Sequence, residues 1–180
     1  MNLRRTLLIT PASDEDLVRK GRKTDADSFF LDLEDAVPSE QKVQARRSAV
    51  DVLESDPEPE KSVTVRINGL NTPWWYSDVI ETITAVGPLV DSFIVPKVDS
   101  PKQIHAVELL LRQVESNADG EVGTVGLIPQ LESAAGINNA IRIARASDRL
   151  TALMFGPGDY AASIGVGDAV ETTEAGRRWE

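Results

Sequence analysis

The chain has 180 residues, of which 41% are hydrophobic and 5% aromatic, and it carries a formal net charge of −10 and no cysteine. This composition predicts one globular domain over residues 1–180. The acidic balance argues against a nucleic-acid partner, and the lack of cysteine excludes disulfides and thiolate metal sites. The sequence has neither a signal peptide nor a run of roughly 20 apolar residues, so we expect a cytoplasmic protein with no membrane partner.

Six short apolar runs alternate with stretches in which apolar residues recur at helical spacing. Each run ends in polar or charged side chains, and the runs comprise residues 6–10, 28–35, 62–68, 91–97, 122–132 and 150–159. Parallel strands that are buried on both faces have this near-continuous apolar character. The alternation therefore predicts an α/β fold of the TIM (β/α)8-barrel type, with about six of its eight strand–helix units in this chain.

Start signals in the sequence predict five helices after the first five runs. Ser13 or Asp14 caps the first helix, Pro73 takes the first helical position of the third, and Ser100-Pro101 begins the fourth. The five helices are expected over residues 13–23, from 39 to before 56, after 73, after 100 and over 134–146. A complete barrel needs about 250 residues. Since residues 171–180 are also helix-like and reach the chain end, we expect a fragment, a truncated product or half of a split protein.

The ends of the predicted strands carry the candidate functional residues, because the carboxyl ends of barrel strands form the active-site mouth in this fold. Side-chain alternation places Asp32 and Glu34 on one face of their strand and Leu31 and Leu33 on the other, so that the two carboxylates point inward. The side chains expected to meet at the mouth are those of Asp32, Glu34, Asp35, Arg66, Lys97, Glu132 and Asp159.

Several of these residues have a structural alternative to a functional role. Asp32 either accepts hydrogen bonds from loop backbone or acts directly, whereas a functional role is favoured for Glu34. Arg66 ends an apolar strand and must pair with Glu34 or Asp32, or await an anion. An Arg held rigidly by a carboxylate would stabilise a developing enolate, so Arg66, Glu34 and Asp32 are the predicted catalytic group. Lys97 is either another anion contact or a solvated loop residue.

Glu132 and Asp159 are the predicted metal ligands. Glu132 ends an apolar run, where a carboxylate is costly to desolvate unless a cation meets it. Asp159 follows Gly156-Pro157-Gly158, and its alternative role is to cap a helix that begins at Tyr160. Because Mg²⁺ prefers oxygen ligands and usually keeps part of its water shell, two carboxylates with water and substrate oxygens would complete its coordination.

Short motifs along the chain resemble the citrate lyase beta-subunit-like family, also called the HpcH/HpaI aldolase family, and in particular its malyl-CoA lyase-like members. They occur in the family's order and spacing over essentially the whole chain. The motifs are RTLLITP at 5–11, LDLEDAVP at 31–38, VRIN at 65–68, VPKV at 95–98, PQLE at 129–132 and FGPGDY at 155–160.

The resemblance implies a TIM barrel of the phosphoenolpyruvate/pyruvate superfamily that makes or breaks a carbon–carbon bond in a CoA thioester. The thioester would be of the malyl-CoA, methylmalyl-CoA, citramalyl-CoA or citryl-CoA type, and a small keto acid would be the second substrate or product. The resemblance also implies Mg²⁺ as the cofactor, with Glu132 and Asp159 as its ligands. Arg66 and Glu132 would touch the substrate, and the protein would be a homo-oligomer, a trimer or hexamer.

The chain departs from the family pattern in two places. Pro11 is followed by Ala12 instead of the glycine expected near the CoA phosphates, and nothing corresponds to the family's last two strand–helix units and carboxy-terminal lid. In the malyl-CoA lyase branch that lid donates a catalytic Asp to a neighbouring subunit. Two alternatives therefore stay open, namely an aldolase acting on free hydroxy-keto acids without CoA, and a catalytically incomplete paralogue or subunit of a larger complex.

Overall fold

The computed structural model describes residues 6–55, 62–118 and 121–166. Within these ranges six parallel strands follow one another across a curled sheet in chain order, which confirms the predicted barrel-type α/β fold. Each predicted apolar run overlaps one strand. The strands are β1 (Leu7–Pro11), β2 (Ser28–Asp32), β3 (Ser62–Arg66), β4 (Ser92–Val95), β5 (Gly126–Leu131) and β6 (Met154–Phe155).

Helices follow the strands and return the chain to the start of the next strand. Short 3-10 turns at Ser39–Gln41 and Gly87–Leu89 precede the second helix and follow the third. The helices are α1 (Glu15–Arg22), α2 (Lys42–Glu54), α3 (Trp75–Val86), α4 (Pro101–Asn117), α5 (Ala134–Asn138), α6 (Ala140–Ala144) and α7 (Pro157–Ser163).

Two of the predicted helix starts are confirmed by hydrogen bonds. Asp14 caps α1, and its Oδ1 accepts a 2.9 Å bond from the backbone N–H of Leu17. Ser100 and Gln103 form a capping box at the start of α4, where Pro101 takes the first helical position. These starts depend only on contacts within one turn, which explains why the sequence predicts them.

Three predicted boundaries are wrong, each for a physical reason that the structure shows. Pro73 precedes α3, which begins at Trp75 after a turn closed by the N–H of Thr72 on the carbonyl of Gly69 at 2.9 Å. The predicted helix over 134–146 is broken at Asn139, whose side chain donates to the carbonyl of Asp99 at 2.9 Å. The last predicted strand run extends too far, because its end belongs to α7.

The two faces of the sheet bury different side chains. Leu31 and Leu33 lie in the large apolar cluster that the helices cover. The opposite face holds a small cluster of Phe30, Ile94 and Ile128, without helical members. Asp32 and Glu34 are buried as well. Asp32 binds Arg66, whose guanidinium lies over Phe30 of the small cluster, as the predicted alternation along β2 requires.

Within the described ranges the sheet has open edges at β1 and β6, each of which pairs on one side only. Ile9 on β1 and Phe155 on β6 are both more than half exposed. No helix in this part of the chain is long and apolar enough to cross a bilayer. The helix-like stretch predicted at 171–180 lies outside the described residues, and the single domain over 1–180 stays a prediction.

Candidate active site

Arg66 and Asp32 form the centre of the site. They are the last residues of neighbouring strands and are direct partners in the parallel register. The Arg66 guanidinium donates from Nε to Asp32 Oδ1 at 2.8 Å and from one terminal nitrogen to Oδ2 at 2.6 Å. The guanidinium also lies over the Phe30 ring, 5.6 Å from its centroid. Two parallel hydrogen bonds and an aromatic face fix the orientation of the guanidinium.

Asp32 also holds the loop that follows its own strand. Its Oδ1 accepts from the backbone N–H of Glu34 at 2.8 Å, and its Oδ2 accepts from that of Ala36 at 3.0 Å. The structural alternatives given for the two residues, a loop-backbone acceptor for Asp32 and an internal salt bridge for Arg66, are therefore both present. With both oxygens engaged, Asp32 is suited to positioning Arg66 and less to contacting a substrate.

Arg66 faces two further carboxylates at its other terminal nitrogen. Glu34 Oε2 lies 3.4 Å away and Asp35 Oδ2 lies 3.5 Å away. Burial alone would lower the pKa of Arg66, but its hydrogen bond to Asp32 and the charges of the three carboxylates more than offset this effect and raise the pKa. The site therefore holds a permanently charged donor.

Glu34 is buried between Arg66 and Lys97. Its Oε1 accepts a 2.7 Å hydrogen bond from Lys97 Nζ, whereas its buried Oε2 accepts no hydrogen bond from the described residues. Burial raises the pKa of Glu34, and the charge of Asp35 adds to this effect, while Lys97 and Arg66 oppose it. Glu34 thus links the two cations of the site.

Sequence reasoning missed Lys42, whose ammonium binds backbone carbonyls of the loop that carries Glu34. Its Nζ donates to the carbonyls of Leu33 at 2.9 Å and Glu34 at 2.6 Å. The buried ammonium also lies 5.7 Å from the centroid of the Trp74 ring, and burial lowers the pKa of Lys42. The available signal was its place on the buried face of α2, three residues before Ala45.

A second missed network supports the end of β3. Buried Asp78 accepts at Oδ1 from Arg46 Nε at 2.9 Å. Its Oδ2 accepts from both the backbone N–H and the side-chain amide of Asn68, at 2.9 and 2.8 Å. The network joins α2 and α3 to the segment just after Arg66. Local patterns assign Arg46 and Asp78 to helix faces and do not predict that they contact each other.

Lys97 joins the acidic groups of the mouth. Its Nζ contacts Glu34, lies 3.6 Å from Asp35 Oδ1 and lies 3.4 Å from Asp159 Oδ2. Its backbone N–H donates to Glu132 Oε1 at 2.7 Å. Burial alone would lower the pKa of Lys97, but its carboxylate partners raise it. The side chain is 45% exposed, yet it is ion-paired and not a simple solvated lysine.

Glu132 is held by neutral donors on both oxygens. Besides the Lys97 N–H, its Oε2 accepts from Gln130 Nε2 at 2.7 Å. Burial raises the pKa of Glu132, as does the charge of Asp159, while the Lys97 and Gln130 hydrogen bonds oppose the shift. Gly156 lies so close that a Cβ there would meet Glu132 Oε2 at 2.5 Å. A side chain at position 156 would therefore displace this carboxylate.

Asp159 lies in the first turn of α7, which begins at Pro157 with Gly156 as its cap. The predicted alternative, a cap for a helix beginning at Tyr160, is therefore wrong, because proline favours the first helical position and starts the helix earlier. Asp159 is about half exposed. Its carboxylate is consequently free of a capping role.

Glu132 and Asp159 line one cavity of about 360 Å³, together with Leu70, Asn71, Lys97, Asp99, Gln103 and Ser133. No cluster of three or more His, Cys, Asp or Glu suited to a metal occurs in the described ranges. A Mg²⁺ ion requires fewer protein ligands, since water and substrate oxygens complete its shell. The residues present fit such an ion, because the buried Glu132 carboxylate has only neutral hydrogen-bond donors and an elevated pKa that a cation would lower.

A parallel β/α sheet whose strand ends gather a fixed Arg and several carboxylates defines a barrel-type α/β protein with a charged mouth. The sequence relationship is more specific. The family model for HpcH/HpaI aldolase/citrate lyase matches residues 5–176, and the chain belongs to this family. The predicted resemblance is thereby confirmed.

Two curated relatives of the chain are a lyase and a lyase subunit. The L-malyl-CoA/beta-methylmalyl-CoA lyase of Rhodobacter capsulatus is 38% identical over 164 residues, covering 91% of this chain and 51% of that protein. The citrate lyase subunit beta of Leuconostoc mesenteroides subsp. cremoris is 33% identical over 162 residues, covering 90% of this chain and 53% of that protein. The chain thus spans about half the length of these curated relatives.

A solved structure supports the same fold. The crystal structure of CitE from Mycobacterium tuberculosis in complex with magnesium and pyruvate is 30% identical and superposes with a TM-score of 0.68. The match covers 91% of this chain and 60% of the other.

Proposed function

We propose that this chain carries the metal-binding and acyl-binding part of a Mg²⁺-dependent carbon–carbon lyase for 3-hydroxyacyl-CoA thioesters. The single observation that carries the proposal is a buried Arg66, fixed by Asp32 at the end of β3, on the same edge of the sheet as Glu132 after β5 and Asp159 after β6. The names of the Rhodobacter capsulatus lyase and of a Chloroflexus aurantiacus malyl-CoA/beta-methylmalyl-CoA/citramalyl-CoA lyase support a thioester of the malyl-CoA, methylmalyl-CoA or citramalyl-CoA type. The citryl-CoA type stays a prediction from the family resemblance. A small keto acid is the proposed co-product.

Each residue of the site has a proposed task. Glu132 and Asp159 hold the metal, which supplies Lewis acidity toward the carboxylate and hydroxyl or keto oxygens of the acyl group when bound. Arg66 donates hydrogen bonds to the enolate oxygen that forms when the carbon–carbon bond breaks. Asp32 keeps the guanidinium in place, so we assign it a positioning role.

Glu34 contributes electrostatically in this proposal. Its Oε2 is buried 3.4 Å from Arg66 and its Oε1 is bound to Lys97, so it fixes both cations without facing solvent. The predicted cytoplasmic location and the predicted homo-oligomeric state, trimer or hexamer, stay predictions.

The proposal predicts metal-dependent cleavage of the carbon–carbon bond in the acyl group of a CoA thioester. Purified chain with MgCl₂ and malyl-CoA is expected to release glyoxylate, measured as its phenylhydrazone, and EDTA is expected to abolish the release until excess Mg²⁺ restores it. Release that persists in EDTA would contradict the metal's role. If the chain cleaves free hydroxy-keto acids but not CoA esters, the aldolase alternative is favoured. If it cleaves neither class of substrate, the incomplete subunit is favoured.

The role of Arg66 predicts a large loss of activity in an Arg66→Lys variant. A lysine ammonium cannot reproduce the two parallel hydrogen bonds to Asp32 or the fixed donor toward the enolate. We expect carbon–carbon bond cleavage of malyl-CoA to fall by at least about 100-fold, with Mn²⁺ binding within threefold of the unsubstituted protein. Steady-state kinetics and metal titration separate the two effects, and equal losses in both would indicate a general disturbance of the mouth.

A further inference from the structure

Lys97 contacts both halves of the acidic mouth through different atoms. Its ammonium lies 2.7 Å from Glu34 and 3.4 Å from Asp159, while its backbone N–H holds Glu132 at 2.7 Å. One residue therefore organises both proposed metal ligands, one through its backbone and the other through its side chain.

The backbone of Lys97 adopts an uncommon conformation. Its φ is +55°, and among the described residues it is the only non-glycine residue with a positive φ. Such conformations are disfavoured for residues with a Cβ and persist where the surrounding structure holds them. Here the conformation accompanies the simultaneous contacts of the N–H with Glu132 and of the Nζ with Asp159.

The Lys97 ammonium and a divalent cation would compete for the same carboxylate. Asp159 Oδ2 is paired with the ammonium, and an ion held by Asp159 would be repelled by a positive charge so close by. Glu34 and Asp35 offer the ammonium two other partners, at 2.7 and 3.6 Å. The side chain therefore keeps ion-pair partners when Asp159 is taken by a metal.

We infer that Lys97 is an internal counter-ion of the mouth, which pairs with Asp159 in the metal-free protein and yields this carboxylate when the metal binds. This inference rests on the proposed function of Glu132 and Asp159 as metal ligands. The ammonium keeps the carboxylates together without metal, and it weakens metal binding by competition. Lys97 is thus a positioning residue that sets the metal affinity.

The test is a comparison of Mn²⁺ binding by variants, followed by the electron paramagnetic resonance signal of free Mn²⁺ at constant ionic strength. Lys97→Met removes the charge but keeps the side-chain length, and we expect it to bind Mn²⁺ about tenfold more tightly than the unsubstituted chain. Lys97→Arg keeps the charge and is not expected to bind more tightly. Lys20→Met is the matched control, since Lys20 is exposed in the last turn of α1.

Thermal unfolding supplies a second readout. Without metal, the Tm of Lys97→Met is expected to fall below that of the unsubstituted chain, because the carboxylates lose their counter-ion. Saturating Mg²⁺ is expected to raise the Tm of Lys97→Met by more than it raises the Tm of the unsubstituted chain, since tighter binding stabilises more. Lys97→Gly tolerates the positive φ, and it takes the place of Lys97→Met in both measurements if that variant does not fold.

The outcomes distinguish this inference from the function on which it rests. Unchanged or weaker Mn²⁺ binding in the charge-removing variants, beside clear binding by the unsubstituted chain, overturns the role of Lys97 alone. If the unsubstituted chain binds no Mn²⁺, both the metal site and the counter-ion role are wrong.

Discussion

A Glu132→Gln variant is expected to lose divalent-cation binding and carbon–carbon bond cleavage of malyl-CoA while keeping its fold. The substitution removes the charge but almost no volume, and a neutral amide is a much poorer ligand for Mg²⁺ than a carboxylate. The new amide oxygen still accepts the Lys97 N–H. Gln130 has a buried Oε1 without a hydrogen-bond partner among the described residues, and rotation of its amide lets that oxygen accept from the new amide nitrogen.

The measurement is a Mn²⁺ titration with Mg²⁺ competition, together with glyoxylate release from malyl-CoA. We expect the affinity to fall by at least about 100-fold, since loss of residues that merely support a ligand already costs 10- to 100-fold. Glu54→Gln is the matched control, because Glu54 is exposed in the last turn of α2 and the change removes the same charge. Affinity within threefold of the unsubstituted chain would exclude Glu132 as a ligand.

Arg149→Met is expected to destabilise the fold by about 3–5 kcal/mol without touching the mouth. Arg149 donates to both oxygens of Glu115, at 2.9 and 2.6 Å, and the two side chains are only 6% and 3% exposed. The pair joins α4 to the segment before β6, and Arg149 also donates to the carbonyl of Val125 at 3.0 Å. Removing the cation leaves a buried carboxylate without its compensating charge.

The same chain provides a matched exposed pair. Arg112 contacts Glu108 at 3.2 Å one helical turn away, but the Arg112 side chain is 63% exposed. Arg112→Met should therefore cost less than about 1 kcal/mol. Urea unfolding followed by circular dichroism measures both variants, and similar losses in the two would show that burial does not decide the strength of these pairs.

The stability difference caused by Arg149→Met should also depend on pH. Although burial alone would raise the pKa of Glu115, the hydrogen bonds from Arg149, Gly123 and Val125 outweigh it and lower the pKa below its ordinary value of 4.5. A lowered folded-state pKa stabilises the fold above the unfolded pKa, and this contribution is lost as the pH falls through the folded value. The difference in unfolding free energy between the unsubstituted chain and Arg149→Met should thus be largest at pH 7 and shrink below about pH 4.5. A gap that widens in acid would contradict the assignment.

Local sequence rules were sufficient to predict the fold class and many of the residues at the strand ends. The period-two alternation of the predicted strand run 28–35 is enough to place Asp32 and Glu34 on one face and Leu31 and Leu33 on the other, because successive side chains leave a strand on opposite faces. Parallel strands then bring their polar ends to one edge, so the convergence near Arg66 required no tertiary information. The Asp14 cap and the Ser100 capping box are similarly local, since each bond spans less than one turn.

Contacts between distant segments decided the rest. The break between α5 and α6 depends on Asn139 reaching the Asp99 carbonyl, 40 positions away. The burial of Lys42 beneath the Glu34 loop and the pairing of Arg46 with Asp78 depend on how helices lie on the sheet. None of these partners is specified by neighbours in the sequence.

The sequence by itself determined that this protein is a parallel β/α sheet with an Arg and several carboxylates at its strand ends, because strand period and strand direction are properties of the local chain. Only the tertiary structure decided what each charge does there. Lys97 follows β4, yet its partners Glu34 and Asp159 follow β2 and β6. The role of a charge depends on burial and on distances between strands, and these exist only when the sheet has formed.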